Sequence, residues 1–242
     1  MISLTDQTVG SIVAKNYKAA EVFDKYRIDF CCQGRTTLDE ACKNKNVDIT
    51  RLAAELEVVM EEPKSQAIDF AAWAPDLLCD YIEKTHHRYV LEAIPVLDQY
   101  LEKVTRVHGE RHPELNEVYW LFREVANELL QHMKKEEMIL FPFIRNIMAI
   151  KASGTDYSAP PFGSIQNPIR VMEQEHEFAG SHFHRIAELT GQYNPPADGC
   201  TTYRVSFAKL QEFEQDLHRH VHLENNILFP KALEMERELA IG

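Results

Sequence analysis

Positive charge is in short supply in this chain. Lys and Arg total 26 against 38 Asp and Glu, a net charge of −12. That balance argues against a nucleic-acid surface, which needs a basic patch to meet phosphates, and against docking on an anionic membrane. No uninterrupted apolar run approaches the length of a bilayer span, so neither nucleic acid nor membrane is an expected partner. The first residues, Met1-Ile2-Ser3-Leu4-Thr5-Asp6, carry no basic segment and no apolar stretch of a secretory signal. The five cysteines are odd in number and irregular in spacing, which suits a reducing compartment better than a disulfide framework. The expected location is the cytoplasm. Gly and Pro are rare inside the long segments, and so is the Val/Ile/Thr alternation that marks strands.

What remains is helical periodicity. Apolar residues make up 45% of the chain and recur at steps of three and four. Residues 8–60 read as several short helices. One has the stripe Ala19, Val22, Phe23 and Tyr26, another begins at Leu38, Ala41 and Cys42, and a third follows Asp48 or Thr50 as N-cap. Two prolines, Pro63 and Pro75, mark a linker over residues 63–75. The expected domains are therefore 1–62 and 76–242. The second holds four long helices, roughly 76–107, 114–149, 166–191 and 201–239, joined by loops at 151–165 and 193–200. Short connections imply antiparallel neighbours, hence an all-α, up-down-up-down four-helix bundle.

The bundle segment repeats itself. His132-Met133-Lys134-Lys135-Glu136 and His220-Val221-His222-Leu223-Glu224 share His-x-x-x-Glu, and Leu140-Phe141-Pro142 and Leu228-Phe229-Pro230 follow at the same offset. A helical His stands upstream of each copy: His87 is 45 residues before His132, and His176 is 44 before His220. Residues four apart share one helix face, so each copy can aim an imidazole and a carboxylate into one cavity. Four imidazoles and two carboxylates able to bridge make a two-metal donor set. Imidazole with carboxylate suits iron, manganese or zinc. Two bridging carboxylates in a bundle core favour a di-iron or di-manganese centre of hemerythrin-like rather than ferritin-like composition. His-Glu-x-x-His is absent, so zincin chemistry is not expected.

Around these six, His86 adjoins His87 at about 100° of helix rotation, so one of the two is expected to face the core. Glu128 and Asp216 lie one turn before His132 and His220. They either orient those imidazoles or are solvated. Glu175, beside His176, could line a polar path to the site. His108 and His112 stand near a helix end. His182, His184, His218 and His222 are expected to be solvated or at helix seams. Leu140, Phe141, Leu228 and Phe229 read as core, and Pro142 and Pro230 as points where a helix kinks or ends. Cys31 and Cys32 are adjacent, which disfavours a disulfide between them. They read either as semi-buried thiols or as thiols that hold metal transiently, near the start of a short helix whose N-terminus would favour their thiolates. Cys42 reads as packing, and Cys79 and Cys200 show no partner pattern.

Over nearly its whole length the chain resembles the iron–sulfur cluster repair di-iron proteins, the repair-of-iron-centres family. The motifs that carry the likeness are Ile28-Asp29-Phe30-Cys31-Cys32-Gln33-Gly34 with Thr37-Leu38, Lys103-Val104-Thr105-Arg106-Val107-His108-Gly109, His132 to Glu137, Val171 to Glu177, and His220 to Pro230. Gln33 departs from the family, where Gly is common. The resemblance implies a small N-terminal domain with a vicinal Cys pair, joined to a hemerythrin-like bundle. It implies two iron ions, bridged by oxygen and carboxylate, on His87, His132, Glu136, His176, His220 and Glu224. His87 is preferred over His86 because it lies eight residues before Pro95. The resemblance also gives Cys31 and Cys32 a functional role and associates Glu128 and Glu175 with access to the metal.

The function implied is repair of iron–sulfur clusters damaged by nitric oxide or oxidative stress, by donating iron. NO binding, or NO reduction as an enzymatic activity, would occur at the di-iron site. The alternative is a hemerythrin-like carrier, store or sensor of O2 or NO. Expected partners are damaged or apo iron–sulfur proteins, NO or O2, and an electron donor the sequence does not name. The sequence leaves a homodimer open.

Overall fold

A computed structural model describes residues 4–61 and 68–241. Four short helices come first: α1 Val9–Lys15, α2 Ala19–Lys25, α3 Leu38–Lys45 and α4 Ile49–Glu61. The caps are local and legible. Thr8 accepts from the Ser11 amide to start α1, and Thr37 with Glu40 forms a reciprocal capping box on α3. Asp48, rather than Thr50, caps α4 by accepting from the amides of Thr50 (2.8 Å) and Arg51 (3.3 Å).

Four long rods follow. Pro75–Tyr81, the π-helical turn Ile82–His87 and Arg88–His108 run on as α5. Glu114–Lys135, the π turn Glu136–Leu140 and Phe141–Ser153 make α6. Gln166–Leu189 is α7. Thr201–Leu223, the π turn Glu224–Leu228 and Phe229–Ile241 make α8. In the bundle α5 packs on α6 and α8, and α7 packs on α6 and α8. No strand occurs among the described residues, only an isolated bridge between Thr8 and Thr37. The chain is all-α.

Two expectations about helix ends are corrected. Pro142 and Pro230 do not end their helices, because a π turn precedes each. Phe141 N–H bonds the Glu136 carbonyl and Phe229 N–H bonds that of Glu224, both at i+5. The widened turn takes up the slip that a proline without N–H would otherwise force on the ladder. Helix α6 then runs four residues past its expected end at 149, to Ser153, where Gly154 (φ 66°) supplies the left-handed cap that a residue with Cβ adopts at a cost. The expected linker lies partly outside the described residues. From 68 onward Phe70, Trp73 and Tyr81 form an aromatic cluster with centroids 4.8–5.5 Å apart. Lys231 donates to the carbonyls of Ala71 and Trp73, each at 2.6 Å.

The core is split in two along the bundle. One apolar cluster joins the short helices (Ile12, Phe23, Leu38, Leu52) to the half of the bundle holding Leu97, Phe122, Phe183 and Phe213. The other collects Leu78, Ile82, Leu140, Phe141, Met172 and Phe229. On each rod the break between the clusters falls at, or within two residues of, one of the six His and Glu of the repeat. A buried polar layer therefore crosses the bundle between two apolar blocks.

Candidate metal centre

That layer contains the six side chains singled out by the repeat. His87, His132, Glu136, His176, His220 and Glu224 are each at most 1% exposed. Their donor atoms form two groups, His87–Glu136–His220–Glu224 and His132–Glu136–His176–Glu224, each with all donors within 4.8 Å of one another. Both carboxylates belong to both groups, which is the arrangement that bridging requires. Glu136 Oε2 lies 3.3 Å from both His87 Nε2 and His132 Nε2. Glu224 reaches His176 Nε2 at 3.1 Å and His220 Nε2 at 3.0 Å.

The polar atoms facing inward fit a pair of cations. His87 Nε2, both oxygens of Glu136 and Glu224 Oε2 are buried without a hydrogen-bond partner, because the imidazoles near them are close but misaligned. Two buried carboxylates with so few donors are costly unless positive charge lies between them. His132 Nε2 and His176 Nε2 face each other at 3.0 Å, while their Nδ1 atoms bond outward to Glu175 (2.8 Å) and Asn225 (2.9 Å). With both Nδ1–H groups turned outward, two lone pairs meet in the cavity, and a proton or a metal ion must sit between them.

Without metal the layer holds protons. Burial pulls the His132 imidazole down, but Glu136 and Glu175 outweigh it and raise its pKa to about 10. His87 is raised in the same way, against burial, by Glu136. In His220 burial wins and the pKa falls. Burial and mutual repulsion push Glu136 and Glu224 upward, yet the surrounding imidazoles hold both below the usual carboxylate range.

The surroundings of the six correct several expectations. His86 and His87 are both buried, at 3% and 1% exposure. They lie in a π turn, whose smaller angular step keeps neighbours on one side of the helix. His86 stacks on His220 with centroids 5.6 Å apart and planes at 5°. Asp216 bonds His86 Nδ1 at 3.0 Å and leaves His220 Nδ1 without a partner. Glu128 makes no hydrogen bond to His132, and Glu175 takes that place, itself paired with Lys135. His222 is buried at 1% exposure against the N-terminal domain, facing Phe30, and burial lowers its pKa to about 4.

Two outer partners escaped the sequence reading. Glu137 bonds His87 Nδ1 at 2.7 Å, and Asn225 bonds His176 Nδ1 at 2.9 Å. They occupy the same place in the repeat, one residue after the shared Glu, and this was the available signal. Phe141 and Phe229 match in the same way, stacking on His87 (5.8 Å, 16°) and His176 (6.1 Å, 3°).

Cys31 and Cys32 are not at a helix start. They sit in a turn, with α3 beginning only at Leu38, and Asp29 Oδ1 accepts from both their amides at 2.9 Å. The thiols are free, 3.8 Å apart. The Cys32 hydrogen bond, burial and the Asp29 charge push the Cys31 thiol well above its ordinary value, so its thiolate is disfavoured. Asp29, Cys31 and Cys32 form a third group of closely spaced donor atoms. Cys32 Sγ lies 3.5 Å from the His176 carbonyl, so the two domains touch within one chain. Both cysteines line two clefts of about 570 and 250 Å³. Cys200, by contrast, has a partner: His108 Nε2 is 3.2 Å from its Sγ. The Tyr203 backbone amide at the start of α8 and His108 lower its pKa to about 7.

Comparison with known proteins agrees with this geometry. The Hemerythrin HHE cation binding domain profile matches residues 80–232, and the ScdA_N profile, described as a domain of unknown function (DUF542), matches residues 5–60. The iron–sulfur cluster repair protein YtfE of Yersinia pestis (strain Pestoides F) is 36% identical over 231 residues, spanning 96% of this chain and 98% of that protein. The proteins of the same name from Yersinia pseudotuberculosis serotype IB (strain PB1/+) and serotype O:1b (strain IP 31758) match to the same extent. No helix among the described residues is long and apolar enough to cross a membrane. The chain belongs to the family of iron–sulfur cluster repair proteins that join an ScdA_N domain to a hemerythrin HHE cation-binding domain.

Proposed function

We propose that this chain is a non-haem di-iron protein that repairs iron–sulfur clusters damaged by nitric oxide or oxidants, with iron as the cargo it supplies. The observation that carries the reading is the pair of donor groups, each of two imidazoles closed by the same two buried carboxylates. The proposed ligands are His87, His132, Glu136, His176, His220 and Glu224. Four neutral nitrogens and only two carboxylates supply little negative charge, and so would favour the ferrous state, the form in which iron exchanges most readily. When bound, the two irons supply ferrous–ferric cycling and an open position for NO or O2.

The chain's own residues do the rest. Glu137, Glu175 and Asn225 turn the imidazoles inward. Phe141 and Phe229 close the layer on one side and exclude water. The Cys31–Cys32 turn, packed on the His176 carbonyl beside two open clefts, offers thiols to a metal on its way to a damaged cluster protein. A plain O2 carrier has no use for that turn.

The test joins metal analysis to reactivation of a cluster-dependent enzyme inactivated by nitric oxide. Wild type should carry two irons per chain and restore activity. His132→Ala, which touches one donor group, should lose about one iron and Glu224→Ala both, with repair falling alongside the iron, while Cys31→Ala/Cys32→Ala should keep iron and lose repair. Full iron in the bundle variants would sink the assignment. Production of N2O by the reduced protein without reactivation would make it a nitric oxide reductase, and reversible O2 binding without reactivation would make it a carrier.

A further inference from the structure

The two halves of the bundle solve the same problem with different chemistry. In each, the residue after the shared glutamate orients the upstream histidine of that half: Glu137 holds His87, and Asn225 holds His176. A carboxylate can only accept. Glu137 therefore fixes His87 with Nδ1 protonated and Nε2 turned to the cavity, and Glu137 is exposed. An amide can accept or donate, so Asn225 alone does not determine the state of His176.

What settles the orientation of Asn225 is the N-terminal domain. Its Nδ2 donates to the carbonyl of Cys31 at 3.3 Å. A carbonyl only accepts, so the nitrogen of the amide must face Cys31 and the oxygen must face His176. His176 Nδ1 must then donate, and its Nε2 lone pair is left for the cavity. The neighbouring residue reinforces the dock. Asn226 Nδ2 lies 3.2 Å from the Phe30 carbonyl and 3.4 Å from that of Cys31. Its amide oxygen sits so close to Gly10 and Gly34 that a Cβ at either would collide with it. The matching residue in the first half, Met138, is 76% exposed. One π turn is bare, and the other is the seat of the N-terminal domain.

We infer that the N-terminal domain completes the second half of the metal centre: the Cys31 carbonyl, acting through Asn225, fixes the tautomer and aim of His176, so that domain docking and metal occupancy favour each other. This rests on the reading of the six-residue layer as a metal site. Coupling of this kind is reciprocal. A metal ion on His176 locks Nδ1–H toward Asn225 and thereby turns the Asn225 nitrogen toward Cys31. Loss of the metal frees His176 to change tautomer, releases Asn225, and loosens the turn that carries both cysteines. The cysteines become reachable as the site empties. Asn225 is a positioning residue, since it acts on the metal only through His176.

The experiment uses the full chain, iron-loaded or stripped with a ferrous chelator, and follows two quantities: metal per chain, and the rate of iodoacetamide alkylation at Cys32 by peptide mass spectrometry. In wild type, stripping should speed Cys32 alkylation by about 5-fold or more, the lower end of ordinary coupling. Asn225→Asp separates the two sides of the amide. It still accepts from His176, as Glu137 does from His87, but it meets the Cys31 carbonyl with oxygen. Its Cys32 should be alkylated fast and at the same rate loaded or stripped. Asn226→Ala should likewise release Cys32 and, since the coupling is reciprocal, hold its metal less tightly than wild type under the same chelator. Equal Cys32 rates in loaded and stripped wild type would overturn the inference, as would metal-dependent protection that survives in Asn225→Asp. A wild-type chain that takes up no metal would overturn it together with the reading beneath it.

Discussion

The two halves of the bundle share a backbone plan and differ in what covers it. Both carry His-x-x-x-Glu, both slip into a π turn at the glutamate, and both stack the following phenylalanine on the upstream histidine. Beyond that the likeness stops. Around the first half the imidazoles are held by Glu137 and Glu175, carboxylates with access to water. In the second, His176 is held by an amide tied to another domain, and His220 Nδ1 has no partner while Asp216 bonds His86. Duplication preserved the donor geometry, which both halves need. It left the outer partners free to differ, because only the second half has a domain seated on it.

The sharpest way to break the comparison is to remove donors one at a time. Glu224→Ala or Glu136→Ala takes an atom from both donor groups and should abolish binding of both metals. His87→Ala and His176→Ala each touch one group and should leave about one metal per chain, read by metal analysis after dialysis. If His87→Ala emptied the site as fully as Glu136→Ala, the two groups would not be separable.

Next come the phenylalanines. Phe141 is 0% and Phe229 1% exposed. Each truncation to Ala should cost about 3–5 kcal/mol in denaturant unfolding of the metal-free chain. The two costs should agree within about 1 kcal/mol if the halves are packed alike.

The bare and the covered π turns should differ by a smaller margin. Gly10→Ala or Gly34→Ala drives a methyl into Asn226 and should destabilise the chain by about 1–3 kcal/mol. Met138→Ala, at 76% exposure, should fall within about 0.5 kcal/mol of wild type.

The smallest effect leaves the metal centre untouched. Cys200 caps the start of helix α8 and has its pKa lowered to about 7, whereas Cys31, packed against the π turn midway along that helix, is raised well above its ordinary value. Lowering favours the thiolate, so iodoacetamide should reach half its limiting rate at Cys200 near pH 7, while Cys31 stays unreactive there. Cys31 alkylated first at pH 7 would reverse this ordering.

Much of the architecture was legible because its signals are local. Helical steps gave four rods, and a four-residue spacing put His132 with Glu136 and His220 with Glu224. Asp48 and Thr37 announce their helices by side chains that reach amides three residues on. The misreadings along the rods share one cause. The ideal α-helix predicts that His86 turns away from the core and that Pro142 breaks its helix, and three π turns invalidate both. The same straight-helix reasoning looked for outer partners one turn back, at Glu128 and Asp216. The partners found for His87, His132 and His176 come from neighbouring helices.

The sequence by itself singled out the six side chains that meet in the buried layer, because helix periodicity converts spacing into a shared face and duplication converts one face into two. It also carried the helical class and the presence of a separate N-terminal unit. Tertiary structure alone decided which protons those donors keep, whether Cys31 is a thiolate, and which half the N-terminal domain covers. Those properties depend on burial and on groups brought together from remote segments. Asn225 and Cys31 are separated by 194 residues, and no spacing rule joins them.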